Sequence, residues 1–246
     1  MSNEINFEKL AWAALYVNEI YEPVETTDSE SIDSYARIMK EEEFLKKIRR
    51  EVSELPDERD VEQKLIRDFL NKWRCRITGK KIENCAKEVV KKVNELESLI
   101  RELARHEIKI ESADLSGNSA HIQELFDAID GIEEFGPTTT SKILHIINPS
   151  LFVMTDKEIR GRYKIGDGGE DYVKFLIKMQ EIARAVIEDF NSLYARNDPA
   201  GFLSEKLKLP LPLTLARYID QYNWITITRN VRVPPSWHPC SRVVLQ

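Results

Sequence analysis

Cysteine and histidine are both scarce in this sequence, which has three cysteines and four histidines among its 246 residues. Cys75, Cys85 and Cys240 lie far apart, and an odd number of cysteines cannot be paired completely. These features argue against a disulfide framework, and the usual ligand spacings of zinc and iron–sulfur sites are missing. We expect a chain that works in a reducing, cytoplasmic compartment and that needs no metal and no other cofactor.

Long apolar segments are also missing from the sequence. It contains no run of about 18 uninterrupted apolar residues, which is the length that a membrane-spanning helix requires. The start, "MSNEINFEKLAWAALYVNEIYE", is acidic and its apolar part is interrupted by charges, unlike a secretory signal. With 42% hydrophobic and 32% charged residues, the composition is typical of a globular protein with a sizeable core and no membrane partner.

An excess of basic residues is missing too, since the formal net charge is −6. This charge argues against a protein that coats nucleic acid, but it allows a local basic face. The charges are in fact unevenly distributed, because acidic residues concentrate in residues 1–70. The segments 71–81, "NKWRCRITGKK", and 141–164 are predominantly basic, and the part of the chain after Asp220 contains arginines and no acid.

Helical periodicity dominates the chain, and the period-two alternation of strands is almost absent. We predict an all-α, multi-helix globular protein, divided into a charged helical layer (1–112) and a second helical domain (113–246). Thr27 and Glu30 form a capping-box pattern before one of the helices. The principal predicted helices are 5–21, 31–55, 57–77, 80–108, 120–129, 138–147 and 214–225, with a further long helix that follows a glycine loop within 166–196. The residues after 225 are predicted to be extended or loose.

The stretch "GIEEFGPTTTSKILHIINPSLFVMTD", Gly131 to Asp156, has a pattern that is typical of a site. It joins two predicted helices through Gly136 and Pro137, and proline suits the first turn of a helix. The amide groups at such a helix start attract anions, and the hydroxyls of Thr138, Thr139 and Thr140 would add donors to a phosphate. Asp156 opens the following helix, where it is either a plain N-cap or a catalytic carboxylate.

These residues resemble the helix-hairpin-helix motif of the HhH-GPD superfamily of base-excision DNA glycosylases, over roughly residues 119–190. Phe135 and Gly136 match the hydrophobic-glycine pair of the hairpin, and Asp156 in "TDKEIRGR" matches the essential aspartate that precedes an isoleucine and an arginine. The resemblance implies that Gly136 to Thr140 hold a DNA phosphate, that Arg160 and Arg162 face double-stranded DNA, and that Asp156 is catalytic. An interhelical turn without a ligand remains the alternative for the hairpin.

The sequence departs from the family pattern at three points. Glu134 stands where the hairpin has its first glycine, and Thr138 stands where bifunctional members have their lysine nucleophile. Without that lysine no Schiff base forms at this position, so the usual lyase step is not expected. The cysteine cluster of the endonuclease III branch is also missing. The resemblance therefore implies a monofunctional enzyme that hydrolyses N-glycosidic bonds.

Several cationic and aromatic residues have two interpretations. Lys142 either faces DNA, replaces the missing nucleophile or is an ordinary solvated surface lysine, and the last is favoured. Trp73 with Arg74 and Arg76 forms either a basic, stacking patch for nucleic acid or a core tryptophan with snorkelling cations, and the second is slightly favoured. His145 lies among isoleucines and leucines, which is typical of a packing residue with satisfied hydrogen bonds.

Two functions from different classes are compatible with these features. The first is a DNA-binding protein similar to HhH-GPD glycosylases, with Asp156 as the catalytic residue. The second is a non-catalytic helical scaffold or partner-binding protein that keeps the hairpin as a structural turn, which the net acidic charge and the long helices of mixed charge favour. The sequence does not predict an oligomeric state or a substrate base.

Overall fold

The computed structural model describes residues 5–20 and 33–234. Within these two ranges the regular structure is helical and contains no strand, so the prediction of an all-α globular fold is confirmed. None of the helices found there has the length and apolar character that crossing a bilayer requires. The predicted capping box at Thr27 and Glu30, together with Cys240, lies outside the described residues.

Helices cover most of the described chain. The first half contains α1 (Phe7–Leu15), α2 (33–38), α3 (Glu42–Ile48), α4 (Glu58–Asp60), α5 (Lys81–Glu95) and α6 (Glu97–Leu103). The second half contains α7 (Ser119–Asp130), α8 (Pro137–Ile147), α9 (Lys157–Tyr163), α10 (Gly169–Tyr194), α11 (Pro199–Lys206) and α12 (Leu215–Asn223). In the described ranges, α1, α4 and α12 continue as π-helical segments, which are Tyr16–Ile20, Val61–Leu70 and Trp224–Thr228.

The single helix predicted over 31–55 is wrong, because the structure has the short helices α2 and α3 instead, with a turn between them. The chain leaves the helical conformation after Ile48, and Arg50 has a left-handed backbone with φ of 57°. Arg50 is buried, and its guanidinium donates to the Glu54 carbonyl and to the Glu97 carboxylate, each at 2.8 Å. Burying this cation with its partners favours the bent chain over the continued helix, which helical periodicity cannot predict.

The predicted helix that runs to Ile77 also ends too late, since its last helical residue is Leu70. The Asn71 side chain closes the following loop by donating to the Ile77 carbonyl at 2.7 Å and accepting from the Ile77 N–H at 2.8 Å. Arg74 and Arg76 inside this loop have left-handed φ values of 62° and 57°. An asparagine that binds the backbone locally competes with the helix, and here that competition determines where the helix ends.

The helices of the second half follow the sequence patterns more closely. Pro137 is the first residue of α8, and Thr214 caps α12 by accepting from the Arg217 N–H at 3.2 Å. The expectation of an extended chain directly after residue 225 is wrong, because the π-helical segment continues to Thr228.

The core is organised around α10, the 26-residue helix that contacts α1, α7, α11 and α12. Four aromatic side chains join the first helix to the late ones: the ring centroid of Phe190 lies 4.6 Å from that of Phe7, 5.1 Å from that of Tyr194 and 5.2 Å from that of Phe202. The start of α1 therefore packs against helices from the second half of the chain. The predicted division between residues 112 and 113 stays a prediction.

We expect Phe190→Ala to lower the free energy of unfolding by about 3–5 kcal/mol, because it leaves a cavity at the centre of the aromatic cluster. The matched control is Leu193→Ala on the same helix, where the residue is 48% exposed and the change should be within about 0.5 kcal/mol. Urea unfolding followed by circular dichroism measures both. Equal losses in the two variants would contradict a core centred on this cluster.

Candidate functional site

A cleft of about 400 Å³ lies where the first 75 residues meet α8, α9 and α12. Its walls bring together residues that are distant in sequence: Val17, Trp73, Arg74, Thr138, Lys142, Met154, Thr155, Asp156, Glu158, Ile159, Arg217, Asp220, Gln221, Trp224, Thr228 and Arg229. Val17, Trp224 and Thr228 belong to π-helical segments, which occur frequently at functional sites. Five of the candidate site residues predicted from the sequence therefore share one cleft: Trp73, Arg74, Thr138, Lys142 and Asp156.

The hairpin between α7 and α8 forms one border of this region. Glu134, which stands in place of a glycine, has a left-handed backbone with φ of 75°, a conformation that favours glycine. Its carboxylate forms an ion pair with Lys81 on α5 at 2.6 Å, and this partner reduces the negative charge that Glu134 brings to the hairpin. Gly136 precedes α8 with an extended backbone, and no side chain caps the amides of that helix.

The three consecutive threonines have different environments. Thr139 and Thr140 are buried, and the Thr140 hydroxyl donates to the Asp130 carboxylate at 3.2 Å. Thr138 is half-buried at the cleft, and its hydroxyl accepts from Arg160 Nη1 at 3.0 Å. Of the three hydroxyls proposed from the sequence as phosphate donors, that of Thr138 is thus the one in the cleft wall.

Asp156 is held by both of its carboxylate oxygens. Oδ1 accepts from the Ile159 N–H at 2.8 Å, which is the N-cap bond of α9. Oδ2 accepts from the Thr228 hydroxyl at 2.6 Å, across 72 positions of sequence. The Asp156 side chain therefore both caps α9 and lines the cleft. Each of its carboxylate oxygens keeps a lone pair for a further hydrogen bond.

The expectation that Lys142 is a solvated surface lysine is wrong, because the residue is only 6% exposed. Its Nζ donates to the Trp73 carbonyl at 2.7 Å and lies 5.6 Å from the centroid of the Trp73 ring and 3.6 Å from Cys75 Sγ. The loop that contains Trp73 and Cys75, which follows the π-helical segment Val61–Leu70, folds over α8 and covers the lysine. Helical spacing within α8 cannot indicate this cover, because it comes from a remote part of the chain.

Trp73 is half-buried and borders the cleft, and its role toward nucleic acid stays a prediction. The ring is half-buried, with Nε1 donating to Ser34 Oγ at 3.0 Å, and it also lines the cleft. The guanidinium of Arg217 lies 5.0 Å from its ring centroid, a distance that allows a cation–π contact. Arg74 is exposed and lines the cleft, whereas Arg76 is exposed away from it.

The two arginines of α9 lie on different sides of the helix. Arg160 binds Thr138 and forms an ion pair with Asp167, with 2.8 Å between Arg160 Nε and Asp167 Oδ1. Arg162 is exposed and lines a separate groove with Tyr163 and Arg232. The structure thus places Arg160 beside the hairpin and Arg162 outside the cleft.

Three residues of α12 line the cleft although the sequence analysis did not single them out. Arg217, Asp220 and Gln221 are each 3% exposed. Arg217 Nη1 donates to the Asp220 carboxylate, and the Arg217 guanidinium lies 4.3 Å from the centroid of the Tyr35 ring. In the sequence, the only sign of this arrangement was an arginine and an aspartate three residues apart on a predicted amphipathic helix. Pairs with this spacing are more often exposed to solvent than buried.

Burial raises the pKa of the Asp220 carboxyl from its ordinary value of 3.8 to about 6. The neighbouring Arg217 and the more distant Lys142 lower it, and the negative charge of Asp156 raises it further. Desolvation of the charged form outweighs the attraction of the guanidinium because the carboxyl is almost fully removed from water. The cleft therefore contains a carboxyl group that takes up a proton at mildly acidic pH.

His145 is confirmed as a packing residue. Its Nδ1 lies 2.6 Å from the Phe152 carbonyl oxygen and its Nε2 lies 3.2 Å from the Tyr35 hydroxyl. Burial, together with the charge of Arg217, lowers the pKa of His145 to about 3. The neutral ring fills the core behind the cleft and contributes no charge to it.

Comparison of the chain with protein-family models, with curated proteins and with solved structures gives no match.

We expect the stability of the wild type relative to Asp220→Asn to fall as the pH rises from 4 to 7. The raised pKa means that between its ordinary value and about 6 the native state holds a proton that the unfolded chain has lost. Stability from this proton is present at low pH and is lost as the pH rises, by on the order of 1–3 kcal/mol. Urea unfolding of both proteins across this range measures it, and a constant difference would contradict the assignment.

Proposed function

We propose that this chain is a DNA-binding protein that hydrolyses N-glycosidic bonds with Asp156, as a monofunctional relative in mechanism of the HhH-GPD glycosylases. The observation that carries the proposal is the cleft, in which Asp156 lies together with Thr138 of the hairpin helix and with Trp73 and Arg74 of a distant loop. A structural turn alone gives no reason for an aspartate, a tryptophan and cations to border a common cavity.

The size and walls of the cleft suit a flat, polar ring. A volume of about 400 Å³ lies in the range of small-molecule sites. Trp73 and Trp224 supply aromatic surface on which a base can stack, and the guanidinium of Arg229 lies 5.3 Å from the centroid of the Trp224 ring. An enzyme that acts on a base has to take it out of the stack and hold it in such a pocket.

The surface beside the cleft suits the DNA backbone. The start of α8 has no side-chain cap, so no side chain of this chain competes with an anion for the positive end of the helix. Arg74 is exposed and lines the cleft, and the charge of Glu134 is partly offset by Lys81. Phosphates on both sides of a displaced nucleotide can therefore meet donors or positive charge.

The chemistry follows from how Asp156 is held. Its two hydrogen bonds, from the Ile159 N–H and the Thr228 hydroxyl, fix the carboxylate beside the cleft without using all of its lone pairs. In that position it activates a water molecule or stabilises the positive charge that develops on the sugar as the base leaves. Thr138 has no amine, and Lys142 Nζ already donates to the Trp73 carbonyl, so the proposal contains no Schiff-base step.

We expect Asp156→Asn to lower base release from damaged duplex DNA by at least about 10²-fold while DNA binding stays within a few-fold, because the amide cannot accept a proton or balance positive charge. Alkali treatment of the DNA after incubation reveals the abasic sites and measures the rate. The matched control is Glu158→Gln, an exposed carboxylate that lines the same cleft and is expected to have little effect. Unchanged base release in the Asp156 variant would refute the assignment of the catalytic residue.

We expect the affinity for duplex DNA to fall steeply as the salt concentration rises, because binding releases counterions from the phosphates. Arg74→Ala should reduce the slope of log K against log salt by about one. Arg101→Ala on α6, which removes an exposed arginine paired with Glu97 away from the cleft, should leave the slope unchanged. Fluorescence anisotropy with labelled DNA measures these slopes. No binding at low salt would favour a non-catalytic scaffold that keeps the hairpin as a turn.

A further inference from the structure

Two carboxyl groups with different surroundings line the same cleft. Asp156 is half-buried and is held by an amide and a hydroxyl. Asp220 is 3% exposed and its partner in the described part of the chain is Arg217. A pair of carboxyl groups in different environments is a recurring basis for dividing acid and base roles.

The groups that surround Asp220 come from several elements. Lys142 of α8 and Asp156 before α9 act on its charge from one side, with opposite signs. Tyr35 of α2 and Tyr172 of α10 are buried neutral phenols whose pKa values are raised, first by burial. With Arg217 on its own helix, Asp220 therefore has one adjacent cation, one more distant cation and one anion, in a region largely closed to water.

Arg217 supplies a second observation that points to a ligand. The side chain is 3% exposed and lines the cleft, and its Nε–H has no hydrogen-bond partner in the described part of the chain. A buried N–H without a partner costs free energy, and a bound ligand with an acceptor atom would remove that cost. Gln221 beside it is also buried at the cleft, with Oε1 accepting from Asn18 Nδ2 at 3.3 Å. A ligand with several polar ring atoms matches this wall of the cleft.

We propose that Asp220 is the proton donor to the departing base, and that the substrates are therefore nucleotides whose base is neutral and leaves more easily after protonation of a ring nitrogen or oxygen. This inference rests on the proposed function. Asp156 then has the base and charge-stabilising role, and Asp220 has the acid role.

The step balances without a further reactant. The Asp220 carboxyl gives its proton to the base, and the bond between the sugar C1′ and the base nitrogen breaks with its electron pair going to the base. Water adds its oxygen to C1′ and gives a proton to Asp156. The new Asp220 carboxylate is stabilised by Arg217, and the proton on Asp156 returns to Asp220 through solvent. The products are the free base and an abasic sugar.

Other groups in the cleft fit the acid role less well. Glu158 is exposed to solvent and not enclosed by the cleft, and the Lys142 ammonium is already bound to the Trp73 carbonyl. The guanidinium of Arg217 does not release a proton in a protein. A carboxyl whose pKa is raised by burial to about 6 is suited to general acid catalysis near neutral pH, because it is protonated in part and still donates readily.

The test compares two substrates in otherwise identical duplexes, one with a neutral purine lesion such as hypoxanthine and one with the cationic lesion 7-methylguanine. The cationic base leaves without protonation, so it needs Asp156 and not Asp220. We expect Asp220→Asn to lower release of the neutral base by about 10²-fold or more and release of the cationic base by less than about threefold. In the wild type, the rate of neutral-base release should decline above pH 6, where Asp220 loses its proton. The residual rate of Asp220→Asn should not show this decline.

Release of the cationic base serves as the folding control for Asp220→Asn, and Asp156→Asn should lose release of both bases. Equal losses on the two substrates in Asp220→Asn would assign this residue a structural or positioning role and overturn the proposal. A neutral-base rate that is unchanged would overturn it as well. A third outcome would refute the proposed hydrolase function itself: the wild type binds DNA in a salt-dependent way but releases neither base at any pH. This outcome differs from the two results for Asp220→Asn, which concern only the acid role.

Discussion

The buried guanidinium of Arg217, held by its hydrogen bond to Asp220 and by two aromatic rings, is the interaction on which the arrangement of the cleft depends. Removing two charges from water costs free energy, and their mutual attraction offsets this cost only when neighbours help. Here the rings of Tyr35 and Trp73 lie 4.3 and 5.0 Å from the guanidinium. Both aromatic residues come from the first 75 residues of the chain, whereas the pair belongs to α12. Cation–π contacts thus connect α2 and the loop that follows the segment Val61–Leu70 to α12.

The same loop determines the position of Lys142. Asn71 closes the loop through two hydrogen bonds to Ile77, and the carbonyl of Trp73 then accepts from Lys142 Nζ at 2.7 Å. A lysine that helical spacing places on a surface is in this way buried by a segment that lies about 70 positions earlier. The cleft and its cations consequently come from three remote segments, which are the loop with Trp73, helix α8 and helix α12. None of these segments forms the site alone.

The turn between α7 and α8 accommodates a side chain in a backbone conformation that favours glycine. Glu134 takes a left-handed backbone there, with φ of 75°. Such a conformation is unfavourable for a residue with a Cβ atom, and the ion pair with Lys81 helps to offset the cost. The Glu134 side chain contacts Lys81 of α5, and it does not cap the start of α8.

Local chemistry in the sequence was sufficient to predict the all-α fold, the start of α8 at Pro137 and the cap of α9 at Asp156, because proline geometry and capping act within a few residues. Tertiary structure alone decided that α3 ends at Ile48, that Lys142 is buried and that Thr228 holds Asp156. It also decided that Arg217 and Asp220 line the cleft. Each of these features depends on burial or on a contact between remote segments, and neither leaves a periodic signal in the local sequence.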